Sequence, residues 1–294
     1  FLGKPVNGIE LRARLTAGER IVKMQSDLLD QKRIVSETLE QLRKVHDSLN
    51  QDLIEAKKLQ QSLVREKHRQ FSNAALSFIL HPAGHIGGDL VGYFPISKRE
   101  VGFFAIDVSG HGVSSALMTA RLAGYLTSPS PEQNIVLTHG PQDSVVPRAL
   151  GDVISDLNRI VLDEMETEHY FTVILAIADM ETGVVNLCQA GHPHPLVKRK
   201  NGQIEQDGPG GLPVGLFPKA EFDEFQIKLN EGDQLILASD GVTECPNSQD
   251  EMLGEDGFEK IVCGLNGVKG ANLLETLVWK LSAYANDAPF PDDV

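Results

Sequence analysis

Residues 87–112 read GGDLVGYFPISKREVGFFAIDVSGHG. Two apolar runs, Leu90–Ile96 and Val101–Val108, flank the polar turn Ser97-Lys98-Arg99-Glu100. β-Branched and aromatic residues on either side of such a turn predict a β-hairpin. The turn centres near residue 98, with Asp89 nine residues before it and Asp107 nine after. Antiparallel pairing then brings both carboxylates to the same open end of the hairpin.

Two further acidic clusters stand beside strand-like segments. Ser239-Asp240-Gly241-Val242-Thr243-Glu244 follows the apolar run 233–239, read as a buried strand that delivers Asp240 at its end. Pro291-Asp292-Asp293-Val294 reads as the start of a last strand cut short. A lone carboxylate at a strand end means little. Four sets converging on one point repel one another unless cations relieve them, and hard, oxygen-loving Mg²⁺ or Mn²⁺ suits such a site. The chemistry expected is that of a metal-dependent hydrolase.

The rest of the body alternates between strands and helices. A helix is expected from Ser114 to about Leu126, then a polar, mobile loop over 127–146, with Pro147 in the first turn of a second helix. That helix is carried by Leu150, Val153, Ile154, Leu157, Ile160 and Val161. Phe171–Ala178 and Val184–Gln189 form a second hairpin, Pro195–Arg199 and Phe225–Leu229 short strands, and Leu273 to Tyr284 a final helix. Many antiparallel strands with helices in two groups give an α+β sandwich.

Before Pro82 the pattern is different. Between Gly18 and Pro82 there is no Gly or Pro, and Ile21, Leu28, Val35, Leu42, Leu49, Ala56 and Leu63 follow a seven-residue repeat. A second stripe drifts, with Met24, Val45 and Leu59 at one offset and Leu39 and Leu53 at the next. This predicts a long helix over residues 19–70 that pairs with a second copy as an imperfect coiled coil, giving a homodimer. A helix packed along its own domain is the alternative.

The charge is uneven. Residues 1–70 hold 14 Lys and Arg against 10 Asp and Glu, while the remainder holds 13 against 31. A body this acidic repels polynucleotide phosphates, so nucleic acid is not expected as substrate or partner. No apolar run approaches the roughly 20 residues of a membrane helix, and the start lacks an initiator Met and a signal layout. The chain is expected to be a cytoplasmic piece of something longer. Cys188, Cys245 and Cys263 form no C-x-x-C pair and read as buried small hydrophobes. His192 and His194, split by Pro193, read as a structural turn rather than a metal pair, and Glu244 as a supporting or capping residue.

The motifs Gly-Gly-Asp (87–89), Asp-Val-Ser-Gly-His-Gly (107–112), Ala-Gly-His-Pro (190–193), Gly-Leu-Pro-Val-Gly (211–215), Ser-Asp-Gly-Val-Thr-Glu (239–244) and Asp-Asp-Val (292–294) occur in this order. Together they resemble the bacterial protein phosphatase 2C-like (PPM-type) enzymes of the sporulation stage II protein E type, over residues 80–294. The resemblance implies two antiparallel sheets flanked by helices in four layers, and hydrolysis of phosphoserine or phosphothreonine with two Mn²⁺ or Mg²⁺ ions. By resemblance, Asp107 bridges the metals and the Val108 carbonyl joins one of them. Asp240 and Asp292 match ligands of the second metal, with Asp292 preferred over Asp293. Asp89 holds a metal directly or through water, and Asp107 and Asp240 carry catalysis. His111 lies in the motif with no required role.

The arginine that eukaryotic relatives use to hold phosphate has no clear counterpart, Arg65 and Arg69 being poor candidates on the linker. Phe1-Leu2-Gly3-Lys4-Pro5-Val6 resembles the end of a response-regulator receiver domain. The implied organisation is a receiver stub over 1–18, a coiled-coil linker over 19–70 and a phosphatase domain over 71–294. The implied substrate is a phosphorylated anti-anti-sigma factor of the STAS type, in a stress or sigma-factor switching pathway. The rival reading is a non-catalytic adaptor that uses the same fold to bind a sigma factor or regulator. Such adaptors lose metal carboxylates, and this chain keeps Asp89, Asp107, Asp240 and Asp292. A coiled-coil scaffold would leave the acidic clusters unexplained.

Overall fold

The computed structural model describes residues 8–63, 66–110, 112–165 and 168–294. The chain divides after Glu55 into two units. The receiver resemblance at residues 1–7 and the catalytic-motif His111 fall outside the described residues.

Helix α1 runs over Gly8–Leu63. In the first unit it is one uninterrupted helix, as the lack of Pro predicts, and Gly18 is accommodated within it. Ile21, Leu28, Val35, Leu42 and Leu49 are all exposed, between 57% and 66%.

In the second unit, Ala56–Val294, the hairpin forms with the expected register. Strands β3 (Asp89–Pro95) and β4 (Glu100–Val108) pair antiparallel, with Asp89 opposite Asp107. β4 also pairs with β7 (Phe171–Asp179), β7 with β8 (Val184–Ala190), and β8 with β11 (Glu224–Lys228). The result is a five-stranded antiparallel sheet, β11-β8-β7-β4-β3. A second sheet has the order β10-β9-β12, from Ile204–Gln206, Leu196–Lys198 and Gln234–Ile236.

Alternation along the strands divides the side chains between two cores. Leu90, Phe94, Phe104, Ile106, Val173 and Leu175 face α2 (Val113–Leu126) and α3 (Leu150–Glu164), meeting Leu122, Leu126, Ile154 and Leu157. Phe103, Ala105, Ile174, Ala176 and Leu187 point the other way, onto Val197 and Leu235 of the second sheet. The far face of that sheet packs Leu196 and Ile236 against α5 (Gly254–Gly264) and α6 (Ala271–Tyr284) through Val262, Leu277 and Leu281. Three cores separate four layers: helices, sheet, sheet, helices. This is the α+β sandwich expected from the sequence.

Several local expectations are corrected. Residues 127–146 are organised: Leu137–His139 (β5) pairs with Val145–Pro147 (β6). Buried Asn134 ties this segment down by donating to the Leu126 and Ser128 carbonyls at 2.8 and 2.7 Å. Pro147 ends β6, and the helix begins only at Leu150. The strand before Asp240 is the short Gln234–Ile236, and Asp240 opens the four-residue helix α4, Asp240–Thr243. His68–Gln70 (β1), within the expected linker range, pairs with Ala75–Ser77 (β2). Cys188 and Cys245 are buried, but Cys263 is exposed.

Candidate active site

The site gathers where β3 begins beside the end of β4, where β12 gives way to α4, and at residues 292–294. Asp89 is buried, at 5% exposure. Burial pushes its carboxyl well above the usual range, and the charges of Asp107 and Asp293 add to this. Asp107 is pushed up to about 7, first by burial and then by Asp240 and Asp292. Asp240 is raised by burial, then by Asp292 and Glu244. Mutual influence of this kind brings Asp89, Asp107, Asp240 and Asp292 into one electrostatic cluster.

Asp89 stands opposite Asp107 in the β3–β4 register, so the two carboxyls project from the same face of the sheet. Among the described residues, no three His, Cys, Asp or Glu side chains converge on one cation position. The donor set is nevertheless all hard oxygen, and Asp107, Asp240 and Asp292 raise the proton affinity of their neighbours. That chemistry fits a divalent cation, which relieves the repulsion among them.

The two C-terminal aspartates differ. Asp293 is 4% exposed, and its carboxylate accepts from the amides of Ala83 at 2.8 Å and Asp89 at 3.1 Å. Asp292 is exposed, and its Oδ1 accepts from the amide of Asp293 at 2.8 Å. Val294 exchanges two backbone hydrogen bonds with His81, which anchors this end of the chain.

Glycines allow the close approaches. A Cβ on Gly88 would stand 2.5 Å from the Val108 carbonyl oxygen, and one on Gly241 would stand 2.0 Å from the Asp293 carbonyl oxygen. Gly110 and Gly112, on either side of His111, take φ of +79° and +96°.

A model of the family described as stage II sporulation protein E (SpoIIE) matches residues 97–294. The chain belongs to the SpoIIE family. It is 26% identical over 187 residues to the phosphoserine phosphatase RsbP of Bacillus subtilis, covering 64% of this chain and 44% of that protein. It is 26% identical over 208 residues to the phosphoserine phosphatase RsbU of the same organism, covering 70% and 57%. The chain spans about half the length of the curated relatives it matches. Its fold is similar to that of the SiaA-PP2C domain of Pseudomonas aeruginosa, with a TM-score of 0.67 at 16% identity over 85% of this chain and 94% of that one.

In this SpoIIE-family chain each histidine of the turn has a protein partner at Nδ1. His192 is buried, with Nδ1 3.1 Å from the Thr172 hydroxyl, and His194 lies 3.3 Å from the Gln189 amide nitrogen. The arginines with strong ion pairs are engaged elsewhere: Arg99 with Asp179, Arg148 with Asp156, and Arg199 with Glu205 and Asp233. Arg69 pairs with Glu66. Sequence reasoning missed Thr119, whose hydroxyl donates to the Gly88 carbonyl at 2.8 Å, and Gln60, which bonds Gly87. It also missed the anchoring role of Asp293. No helix among the described residues is long and apolar enough to cross a membrane.

Proposed function

We propose that this chain is a metal-dependent protein serine/threonine phosphatase whose substrate is a phosphoserine on a small STAS-type anti-anti-sigma factor. The observation that carries this reading is the cluster in which Asp89 stands opposite Asp107 in the β3–β4 register, Asp107 and Asp240 raise the proton affinity of Asp89, and Asp292 raises that of Asp107 and Asp240. Asp107 would bridge two Mn²⁺ or Mg²⁺ ions, with the Val108 carbonyl beside it. Asp240 and Asp292 would hold the second ion, and Asp89 would serve directly or through water. Such ions neutralise a phosphomonoester dianion and lower the pKa of a bridging water.

The protein's own part is positioning. β3 and β4 fix Asp89 against Asp107, α4 presents Asp240, and the pairing of Val294 with His81 holds Asp292 in reach. Asp292 is favoured over Asp293 because the Asp293 carboxylate already accepts two backbone amides. The phosphoserine phosphatase names of RsbP and RsbU support the substrate class.

The proposed organisation is a receiver stub over 1–18, a linker over 19–70 and a phosphatase domain over 71–294, in a cytoplasmic response regulator. The linker would pair two copies through the stripe from Ile21 to Leu63, and its exposed Ile21, Leu28, Val35, Leu42 and Leu49 support that reading. Phosphate release from a phosphoserine peptide tests the activity. Release is expected with Mn²⁺ and not with chelator. Equal rates in both, or none in either, would overturn the reading.

A further inference from the structure

Helix α1 buries one residue, and it is polar: Gln60, at 7% exposure. Its side-chain amide clasps the backbone of one residue at both its N–H and its carbonyl. Nε2 donates to the Gly87 carbonyl at 2.6 Å, and Oε1 accepts from the Gly87 amide at 3.1 Å. Gly87 begins the Gly-Gly-Asp motif, two residues before Asp89. No side chain could take the place of its hydrogen, because a Cβ there would fall 1.8 Å from Asp293 Oδ2. That same Asp293 oxygen accepts the Asp89 amide. Gly88 is held in turn by the Thr119 hydroxyl and, at 3.3 Å, by the Val108 amide.

The backbone leading into Asp89 is therefore gripped from four directions: α1, α2, β4 and the C-terminal segment. Resting on the proposed metal-dependent reading of the site, we propose that Gln60 is a positioning residue that sets where Asp89 stands in the carboxylate cluster. A two-point clasp fixes orientation as well as distance, which a single hydrogen bond does not. Adjacent residues on a helix project about 100° apart, so any rotation of this last stretch of α1 by one residue breaks both bonds at once. Freed from Gln60, the Gly87 peptide loses the contacts that hold it on that side. A buried peptide without partners relaxes toward other donors, and Asp89 moves with it.

A purely structural Gln60 would lower stability and leave metal affinity alone, so the test reads both. Mn²⁺ binding is measured by calorimetry, and by the electron paramagnetic resonance signal of free Mn²⁺, on the full chain and on Gln60→Ala and Gln60→Glu. Thermal unfolding without metal is recorded in parallel. Gln60→Glu keeps the length and the acceptor but loses the donor to the Gly87 carbonyl, and it decides the matter by the same measurements should Gln60→Ala not fold. We expect Mn²⁺ affinity to fall about tenfold or more in a folded variant, in the range seen when a residue supporting a metal ligand is lost. Amide exchange at Gly88 and Asp89 should quicken. Unchanged Mn²⁺ affinity in a folded variant, with the wild type binding normally, overturns the role of Gln60 alone. A wild-type chain that binds no Mn²⁺ overturns the metal-dependent reading, and the role of Gln60 with it.

Discussion

Asp89 and Asp107 stand directly opposite each other in the antiparallel register of β3 and β4, and the charge of Asp107 raises the proton affinity of Asp89. Two acids so placed cannot both be ionised cheaply. A proton on one of them or a cation beside both relieves the repulsion, and at neutral pH only the cation lets both keep their charge.

Replacing one of this pair separates catalysis from stability. Asp107→Asn removes a charge that Asp240 and Asp292 oppose and that raises Asp89, so the metal-free protein should unfold at a higher temperature. Each kcal/mol of relieved repulsion corresponds to about 2–4 °C for a domain of this size. Mn²⁺-dependent turnover should fall by on the order of a hundredfold, as when one electrostatic stabiliser is lost. Scanning calorimetry and phosphate release on the same samples check both. Near-normal rates at limiting Mn²⁺ would sink the assignment of Asp107.

Gly241→Ala tests whether the C-terminal aspartates are held by packing. The new methyl would press on the Asp293 carbonyl, which also accepts from the Ser239 hydroxyl at 3.2 Å. The Asp292-Asp293 segment should shift away from Asp240, and Mn²⁺ affinity should drop while the helical and sheet content stays unchanged by circular dichroism. Wild-type affinity in Gly241→Ala would mean that Asp292 takes no part in binding.

His192 makes acid stability testable. Burial pushes its imidazole down to about 3 from an ordinary 6.5. Between those values the unfolded chain binds a proton that the folded chain does not. Stability from this group is therefore complete above pH 6.5 and is lost as pH falls toward 3. At about 1.4 kcal/mol per unit, lowering pH from 6.5 to 5 should cost about 2 kcal/mol through this residue. His192→Gln should be less stable than wild type at pH 8 and lose less on acidification. Urea unfolding at both pH values checks this, and parallel losses in the two proteins would refute it.

The hairpin was legible because its information is local. Symmetric spacing of Asp89 and Asp107 about one turn dictates the register without knowledge of anything distant. The α+β sandwich followed from many antiparallel strands with helices in two groups, and its four layers from the family resemblance of the motifs. What stayed hidden was long-range or polar. Gln60 reaches Gly87 across 27 residues and Asp293 reaches Asp89 across 204, and nothing in either neighbourhood announces the other. The segment 127–146 looked like loop because its organiser is an asparagine rather than an apolar stripe. Helix α5 escaped notice because Gly254, Gly257 and Gly264 interrupt the pattern that Phe258 and Val262 begin.

The exposed face of α1 gives the prediction about assembly. Leu42 and Leu49 lie seven residues apart and are 63% and 57% exposed, on the stripe read as a coiled-coil seam. Apolar side chains at one heptad position along a helix this long bury little against their own helix, and pairing with a second copy removes them from water. In a paired helix Leu42→Asp and Leu49→Asp would each place a charge in an apolar seam, at a cost that no nearby cation offsets. The double variant should run as a monomer in light scattering at micromolar concentration, where the parent runs as a dimer. Far-ultraviolet helicity should fall with it, since a lone helix without a partner surface is only marginally stable. Metal binding by the body should persist, because the carboxylate cluster lies wholly within Ala56–Val294. A parent chain that is itself a monomer under these conditions would remove the seam, and the phosphatase reading would stand without it.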